Sequence, residues 1–278
     1  MNRRLLPPTV TAGPSPRLAS WGRAFVAITL AWAAGCVDEV GWLLLDHVYV
    51  SHMTGNTAGL AYHSVSGDFT QAIHHGWPIA AFIAGLLYTA VTTRAARRRG
   101  FHSSFSIALI TEIVLLFAMV ALGARHLDDG HLATQSGWRF YLLISLAPAA
   151  MGIQTVTVTS VNGLRVYTTY LTGSLSKWSE AVVEYGFWVY DRGRFRRSGR
   201  LRRVLLVSYR QKPLQHAALT SGLWGGFFTG ALYGAALEPR SFLLSLIAPV
   251  AVLICAAIID IVRPIAAADE PQASDSAH

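Results

Sequence analysis

Val48-Tyr49-Val50-Ser51-His52-Met53-Thr54-Gly55-Asn56 returns later in the chain, altered, as Val166-Tyr167-Thr168-Thr169-Tyr170-Leu171-Thr172-Gly173-Ser174. Val48 and Val166 are 118 residues apart, and Val, Tyr, Thr and Gly coincide between the copies. Each copy follows a long apolar run. Each ends in a Thr-Gly-Asn/Ser step that helices tolerate poorly: glycine costs about 1 kcal/mol against alanine, and short polar side chains compete for backbone hydrogen bonds. Two ordinary turns would leave the same trace. The sharper reading is a duplication with an interrupted helix in each half, and paired interruptions are a pointer to a transporter's binding site.

A second pair of segments supports the duplication. Phe82-Ile83-Ala84-Gly85-Leu86-Leu87-Tyr88-Thr89-Ala90 aligns with Phe227-Phe228-Thr229-Gly230-Ala231-Leu232-Tyr233-Gly234-Ala235, with Phe, Gly, Leu, Tyr and Ala in common. The offset has grown to 145 residues, as an insertion between the two matches would require, and the basic segment at 191–213 supplies one. Two matches in the same order make a true repeat.

Composition sets the environment. Of 278 residues, 53% are hydrophobic and 14% charged, with a mean hydropathy of +0.39, against about 25% charged in a soluble domain. Several uncharged runs of about 20 residues define an all-helical, polytopic membrane protein. The formal charge of +8 could suit nucleic acid, but the basic residues lie between apolar runs, as in cytoplasmic loops, so no nucleic-acid partner is expected. Cys36 and Cys255 both fall inside apolar runs, which argues against a disulfide. Neither a metal nor another cofactor is indicated.

The expected spans are Ala24–Leu45, Gln71–Thr93, Ser104–Gly123, Trp138–Ser160, Leu214–Leu237 and Ser241–Val262. At 1.5 Å per residue each is long enough to cross a bilayer. With the N-terminus inside, 20 of the 23 Lys and Arg fall on the cytoplasmic side and three, Arg125, Arg139 and Arg240, on the other. That asymmetry argues for a six-span inner-membrane protein with both termini cytoplasmic. Three crossings per half make the second half enter from the opposite side, a 3+3 inverted-topology repeat with a broken or re-entrant segment in each half. The expected parts are a disordered basic lead (1–22), a membrane domain (23–263) and a disordered tail (264–278). The domain divides into repeat one (23–123) and repeat two (138–263), the latter holding the cytoplasmic loop 191–213. Val166–Tyr190 carries Lys177, Glu180 and Glu184 and reads as broken or interfacial, with Trp178 and Trp188 at headgroup depth.

Polar residues inside apolar runs are the candidates for chemistry. Asp38 lies 15 residues beyond Arg23, where a charge costs at least ~2.5 kcal/mol and faces a cavity or a partner. Asp38, its neighbour Glu39, and Glu112 in the third span are candidates for coupling to a proton or cation. Asp38 could instead cap a helix break. Thr111 could serve Glu112 as a local partner. Thr54, Gly55, Asn56, Gln154, Thr172, Gly173 and Ser174 join Asp38 as the expected substrate-binding set, although the Thr-Gly steps could serve close helix packing and Gln154 an interhelical hydrogen bond. His47, His52, His63, His74 and His75 gather on the proposed outer side. They lack a tight metal-binding spacing, so interfacial hydration accounts for them better than zinc or copper. Arg192–Arg203 is a positive-inside loop that could also attract anionic lipid. The glycines of Gly222–Gly230 read as a helix-packing face, since no Walker lysine follows.

Four of these stretches carry a resemblance. Gly35–Asp38, Met53–Asn56, Met151–Gln154 and Thr168–Gly173 resemble the Gly-x-x-Asp, Met-Thr-Gly-Asn, Met-Gly-x-Gln and Thr-Thr-Tyr-x-Thr-Gly pattern of the bacterial YoaK-like family of integral membrane proteins, over roughly residues 22–263. The resemblance implies the membrane fold and carries no settled activity. Glu39, where that family has a small residue, and the long loop Arg192–Lys212 depart from the pattern. The expectation is a permease for a small solute bound between the two Thr-Gly motifs. The competing expectation is a scaffold or sensor working through its basic loop. An enzyme is not expected, because no nucleophile–base or metal constellation is present. The sequence leaves the oligomeric state open, a homo-oligomer included.

Overall fold

The computed structural model describes residues 20–263, apart from 46, 101–104, 124–126, 129–130, 133–136, 158–159, 162–163, 166–167, 170, 195–210 and 238–240. Most of the expected lead, the tail, the greater part of the basic loop, and Val166, Tyr167 and Tyr170 of the second motif lie outside the described residues. Among the described residues there are eight helices: α1 (Ser20–Leu44), α2 (Met53–Ser66), α3 (Phe69–Arg98), α4 (Ser106–Gly123), α5 (Trp138–Thr155), α6 (Leu171–Arg194), α7 (Lys212–Leu237) and α8 (Phe242–Val262). Two antiparallel pairs of two-residue strands complete the elements: β1 (Leu127–Asp128) with β2 (His131–Leu132), and β3 (Ser160–Val161) with β4 (Leu164–Arg165).

The helices follow the apolar runs closely. Trp21–Leu44, Phe69–Ala96, Ser106–Gly123 and Leu244–Val262 are long and apolar enough to cross a membrane. The two other expected spans are helices as well, α5 and α7. Helix α5 stops at Thr155, five residues short of the expected Ser160. The chain there runs Thr155-Val156-Thr157-Val158-Thr159, and β-branched side chains lose rotamer freedom in a helix. The hydroxyls of Thr155 and Thr157 turn back onto the carbonyls of Met151 and Ile153.

α1 and α5 lie deepest. Ala27, Leu30, Ala34 and Val37 of α1 share the core with Ile144, Ala147, Ala150 and Met151 of α5. α4 and α8 instead expose large apolar side chains at helical spacing, Ile110, Val114 and Phe117 on one and Ile247, Ile254, Ile258 and Ile261 on the other. A contiguous apolar surface of this kind belongs against lipid.

The two halves pack reciprocally. α1 lies against α7, and α5 lies against α3. α2 covers α3 as α6 covers α7. α4 rests on α5 as α8 rests on α1, and α4 meets α8. The closest approaches match one another. A Cβ on Gly35 would overlap the backbone of Phe227, and one on Gly152 the backbone of Phe82. Likewise Gly230 sits on the carbonyl of Trp32, and Gly85 on that of Ala149. Phe82 and Gly85 are the residues that align with Phe227 and Gly230. The contacts Ile28–Gly226, Trp32–Gly230 and Cys36–Gly234 ascend together, so α1 and α7 run parallel. Trp77–Ser145 and Gly85–Ile153 make α3 and α5 parallel in the same way. The first residue of α4, Ser106, donates to Asp260 in the last turn of α8 at 2.9 Å, so α4 and α8 run in opposite directions.

Candidate functional site

The break in the first half precedes the Thr-Gly-Asn step. α1 ends at Leu44, the chain folds back through Leu45–His52, and Thr54, Gly55 and Asn56 form the first turn of α2. Helix starts accept short polar residues that helix interiors penalise. The returning segment is anchored by Val48 and Val50, both fully buried. Gly55 is required here because the ring of Tyr49 lies where a Cβ would stand. Asn56, with 0% exposure, grips the same residue twice. Its Oδ1 accepts from the Tyr49 N–H at 3.0 Å and its Nδ2 donates to the Tyr49 carbonyl at 2.7 Å. Asn56 therefore shapes the break.

Asp38 closes the junction from α1. It is 6% exposed, and its carboxylate accepts from the Ser51 N–H and from His52 Nδ1, each at 2.6 Å. His52 occupies the residue before α2, with its ring edge-on to Tyr49 and to Phe227 of α7. The hydrogen bond to Asp38 raises the pKa of His52 above its ordinary 6.5, against the opposing effect of partial burial. Three elements thus meet at one hydrogen bond between a buried carboxylate and a part-exposed imidazole. Sequence reasoning placed His52 among hydrated histidines and missed this role. The pairing runs across a folded-back loop whose path leaves no periodic signal.

The second half builds the corresponding junction from hydroxyls. Thr155 at the end of α5 and Thr169 just before α6 bond each other at 2.6 Å. Ser51 and Thr169 are matched positions of the two motifs, so the Asp38–Ser51 contact and the Thr155–Thr169 contact are counterparts. Thr172, Gly173 and Ser174 lie in the first turn of α6, with Ser174 buried and Thr172 exposed. α6 is one continuous helix from Leu171 to Arg194, so the segment is not broken within it, and it carries Lys177 half-buried and Glu180 and Glu184 exposed. Trp178 Nε1 donates to Ser221 of α7 at 2.9 Å, and Trp188 stacks under Arg192.

Gln154 belongs to the core between the junctions. It is 0% exposed, and its Nε2 donates to the Leu30 carbonyl of α1 at 2.6 Å. Its Oε1 has no partner, nor have the buried hydroxyls of Thr168 and Ser51. Glu112 is fully enclosed on α4 with neither carboxylate oxygen bonded. Thr111 does not serve it, because that hydroxyl bonds the Ile107 carbonyl and the Tyr88 hydroxyl instead. Glu39, next to Asp38, is partly buried. The structure thus gathers Asp38, Thr54, Gly55 and Asn56 at one junction and Thr172, Gly173 and Ser174 at the start of α6. Gln154 lies in the core, and Glu112 stands apart on α4.

The remaining histidines do not converge. His74 is buried against Phe140 and Tyr141, His63 stacks on His75, and His47 meets Trp42. His74 is thus a core residue and is not hydrated at an interface. Among the described residues no three His, Cys, Asp or Glu side chains come together as metal ligands. Cys36 and Cys255 are free thiols.

Fold and surface together define a multi-pass helical transmembrane protein. The chain belongs to the family described as "Protein of unknown function (DUF1275)", whose model matches residues 26–259. It is similar to the UPF0700 transmembrane protein YoaK of Bacillus subtilis (strain 168), at 26% identity over 180 residues, which is 65% of this chain and 76% of the relative. It is also similar to the UPF0700 transmembrane protein RA0705 of Rhizobium meliloti (strain 1021), at 29% identity over 253 residues, 89% of this chain and 90% of the relative. These relatives bear out the YoaK-like resemblance read from the motifs. No solved structure matches the chain.

Proposed function

We propose that this protein is an inner-membrane permease for a small polar solute, built as a six-span inverted repeat with both termini in the cytoplasm. The reading is supported by the reciprocal packing of the halves. α4 and α8 are counterparts that run in opposite directions, and a two-fold relating antiparallel counterparts lies in the membrane plane, the arrangement of many secondary transporters. The basic loop, held at the cytoplasmic face, would also attract anionic lipid.

The observation that carries the reading is the set of partnerless polar atoms beside the two junctions: Gln154 Oε1 and the hydroxyls of Thr168 and Ser51. Buried polar groups are almost always satisfied, and an unmet one costs about 1–3 kcal/mol. Gln154 lies level with Leu30. Asp38, eight residues further along α1, is therefore about 12 Å away along that helix. The stretch of α1 between these levels, Ala31, Ala34, Cys36 and Val37, is fully packed, so a solute with hydrogen-bonding groups would enter only as the helices part, from one face through the Asp38 junction and from the other through the Thr155 junction. A scaffold would gain nothing from leaving these atoms unmet. The test is uptake into proteoliposomes across amino acids, carboxylates, sugars and organic bases. Accumulation of one class, reduced at least tenfold by Gln154→Leu in correctly folded protein, is the expected result. If no class moves in the wild type, the transporter reading fails.

A further inference from the structure

We infer that Asp38 and His52 together form a proton-binding site that couples this protein's solute movement to the proton gradient, an inference that rests on the transporter reading above. Symmetry carries the argument. Both halves close the same junction between a deep helix and the residues before the next helix. The second half does so with two neutral hydroxyls, Thr155 and Thr169, at 2.6 Å. Closing the junction therefore needs no charge, yet the first half places there a carboxylate and an imidazole at 2.6 Å. An acid at such depth in a spanning helix is costly and marks ion pathways and proton relays.

Access favours a proton. The His52 side chain is 38% exposed and that of Asp38 8%, so the imidazole has an open side through which a proton can arrive while the acid it bonds has none. A proton from water adds to Nε2 of His52. The Nδ1–H continues to donate to Asp38 Oδ2 throughout. The loaded pair is imidazolium and carboxylate, net neutral, and the unloaded pair carries one negative charge. Loading thus changes the charge of the junction without breaking its hydrogen bond. The other titratable groups facing the pair are Glu39, next to Asp38 on α1, and Tyr49, whose ring meets His52 at 5.6 Å. From α7 the Phe227 ring closes the site and carries no charge.

Two measurements on the full chain test this. In nanodiscs with nitrogen-labelled histidine, the His52 resonance, assigned by its loss in His52→Gln, should titrate above the ordinary histidine range. Asp38→Asn should lower that midpoint by about one pH unit or more, the size of a close opposite charge. An unchanged midpoint overturns the site whether or not transport is seen. In proteoliposomes with trapped pyranine, the transported class should shift lumenal pH in the wild type and not in Asp38→Asn or His52→Gln. Counterflow exchange of the same labelled solute, which needs no net proton movement, should persist in His52→Gln. Uptake without any pH change in the wild type overturns the coupling and leaves the permease standing. If no solute moves, the permease reading falls and the coupling with it, while the titration still decides whether the pair is a proton site.

Discussion

His52 makes the junction sensitive to pH in a definite direction. The folded protein holds the imidazolium more tightly than the unfolded chain, because the Asp38 hydrogen bond raises its pKa above 6.5. The stabilisation is then fully present below pH 6.5 and is lost as pH rises through the raised value. Thermal unfolding in detergent should accordingly show a higher midpoint at pH 6 than at pH 9, and His52→Gln should shrink the difference. Equal shrinkage in a His63→Gln control would assign the effect elsewhere. Glu112 gives a second expectation. A fully enclosed carboxyl with no hydrogen bond destabilises a fold, so Glu112→Leu should raise thermal stability by about 1–3 kcal/mol equivalent and lower transport if the carboxyl serves it. A loss of stability would mean that the group has a partner in the membrane. Asp38 and Glu112 were legible in the sequence because charge is conspicuous in an apolar run. Their surroundings were not. The bond of Gln154 reaches 124 residues back to Leu30, and no local pattern encodes which carbonyl a glutamine will find.

Helix α7 shows how far a repeat of small residues can be read. Gly222, Gly226, Gly230 and Gly234 recur every four residues, and all four face α1. They are not equivalent. At Gly222 an added Cβ meets the flexible end of Ile28, whereas at Gly230 it meets the Trp32 carbonyl. Gly230→Ala should therefore cost about 1–3 kcal/mol, as overpacking does, and Gly222→Ala much less. Comparing the two by thermal unfolding in detergent checks the close approach of α1 and α7, and equal effects would contradict it. Spacing made the packing face legible, while the identity of the partner helix required the fold. The Thr-Gly steps were legible as special and misplaced by a few residues. Glycine and short polar residues signal both a helix interior that breaks and a helix that begins, and the buried valines Val48 and Val50, which decide between these, look like any apolar pair.

Over the whole protein, the distribution of Lys and Arg argues for six spans, and four helices among the described residues are long and apolar enough to cross a membrane. The sidedness itself is open to direct test. Single cysteines at Asp128 and at Gly199, in a background lacking Cys36 and Cys255, should label from opposite faces of intact cells. Same-face labelling would exclude the six-span topology. The crossing of the halves has a further consequence, for synthesis. Trp32 seats against Gly230, so nearly 200 residues must follow α1 from the ribosome before its partner helix exists. At bacterial elongation rates that interval is roughly 10–40 s. Throughout it, the face of α1 that packs on α7 lies uncovered, although Ser51 and His52 reach Asp38 early and Gln154 of α5 reaches Leu30 before α7 is made. α1 is made early and is among the last helices to be enclosed, and whatever shelters that face in the meantime, insertase or lipid, must tolerate Glu39.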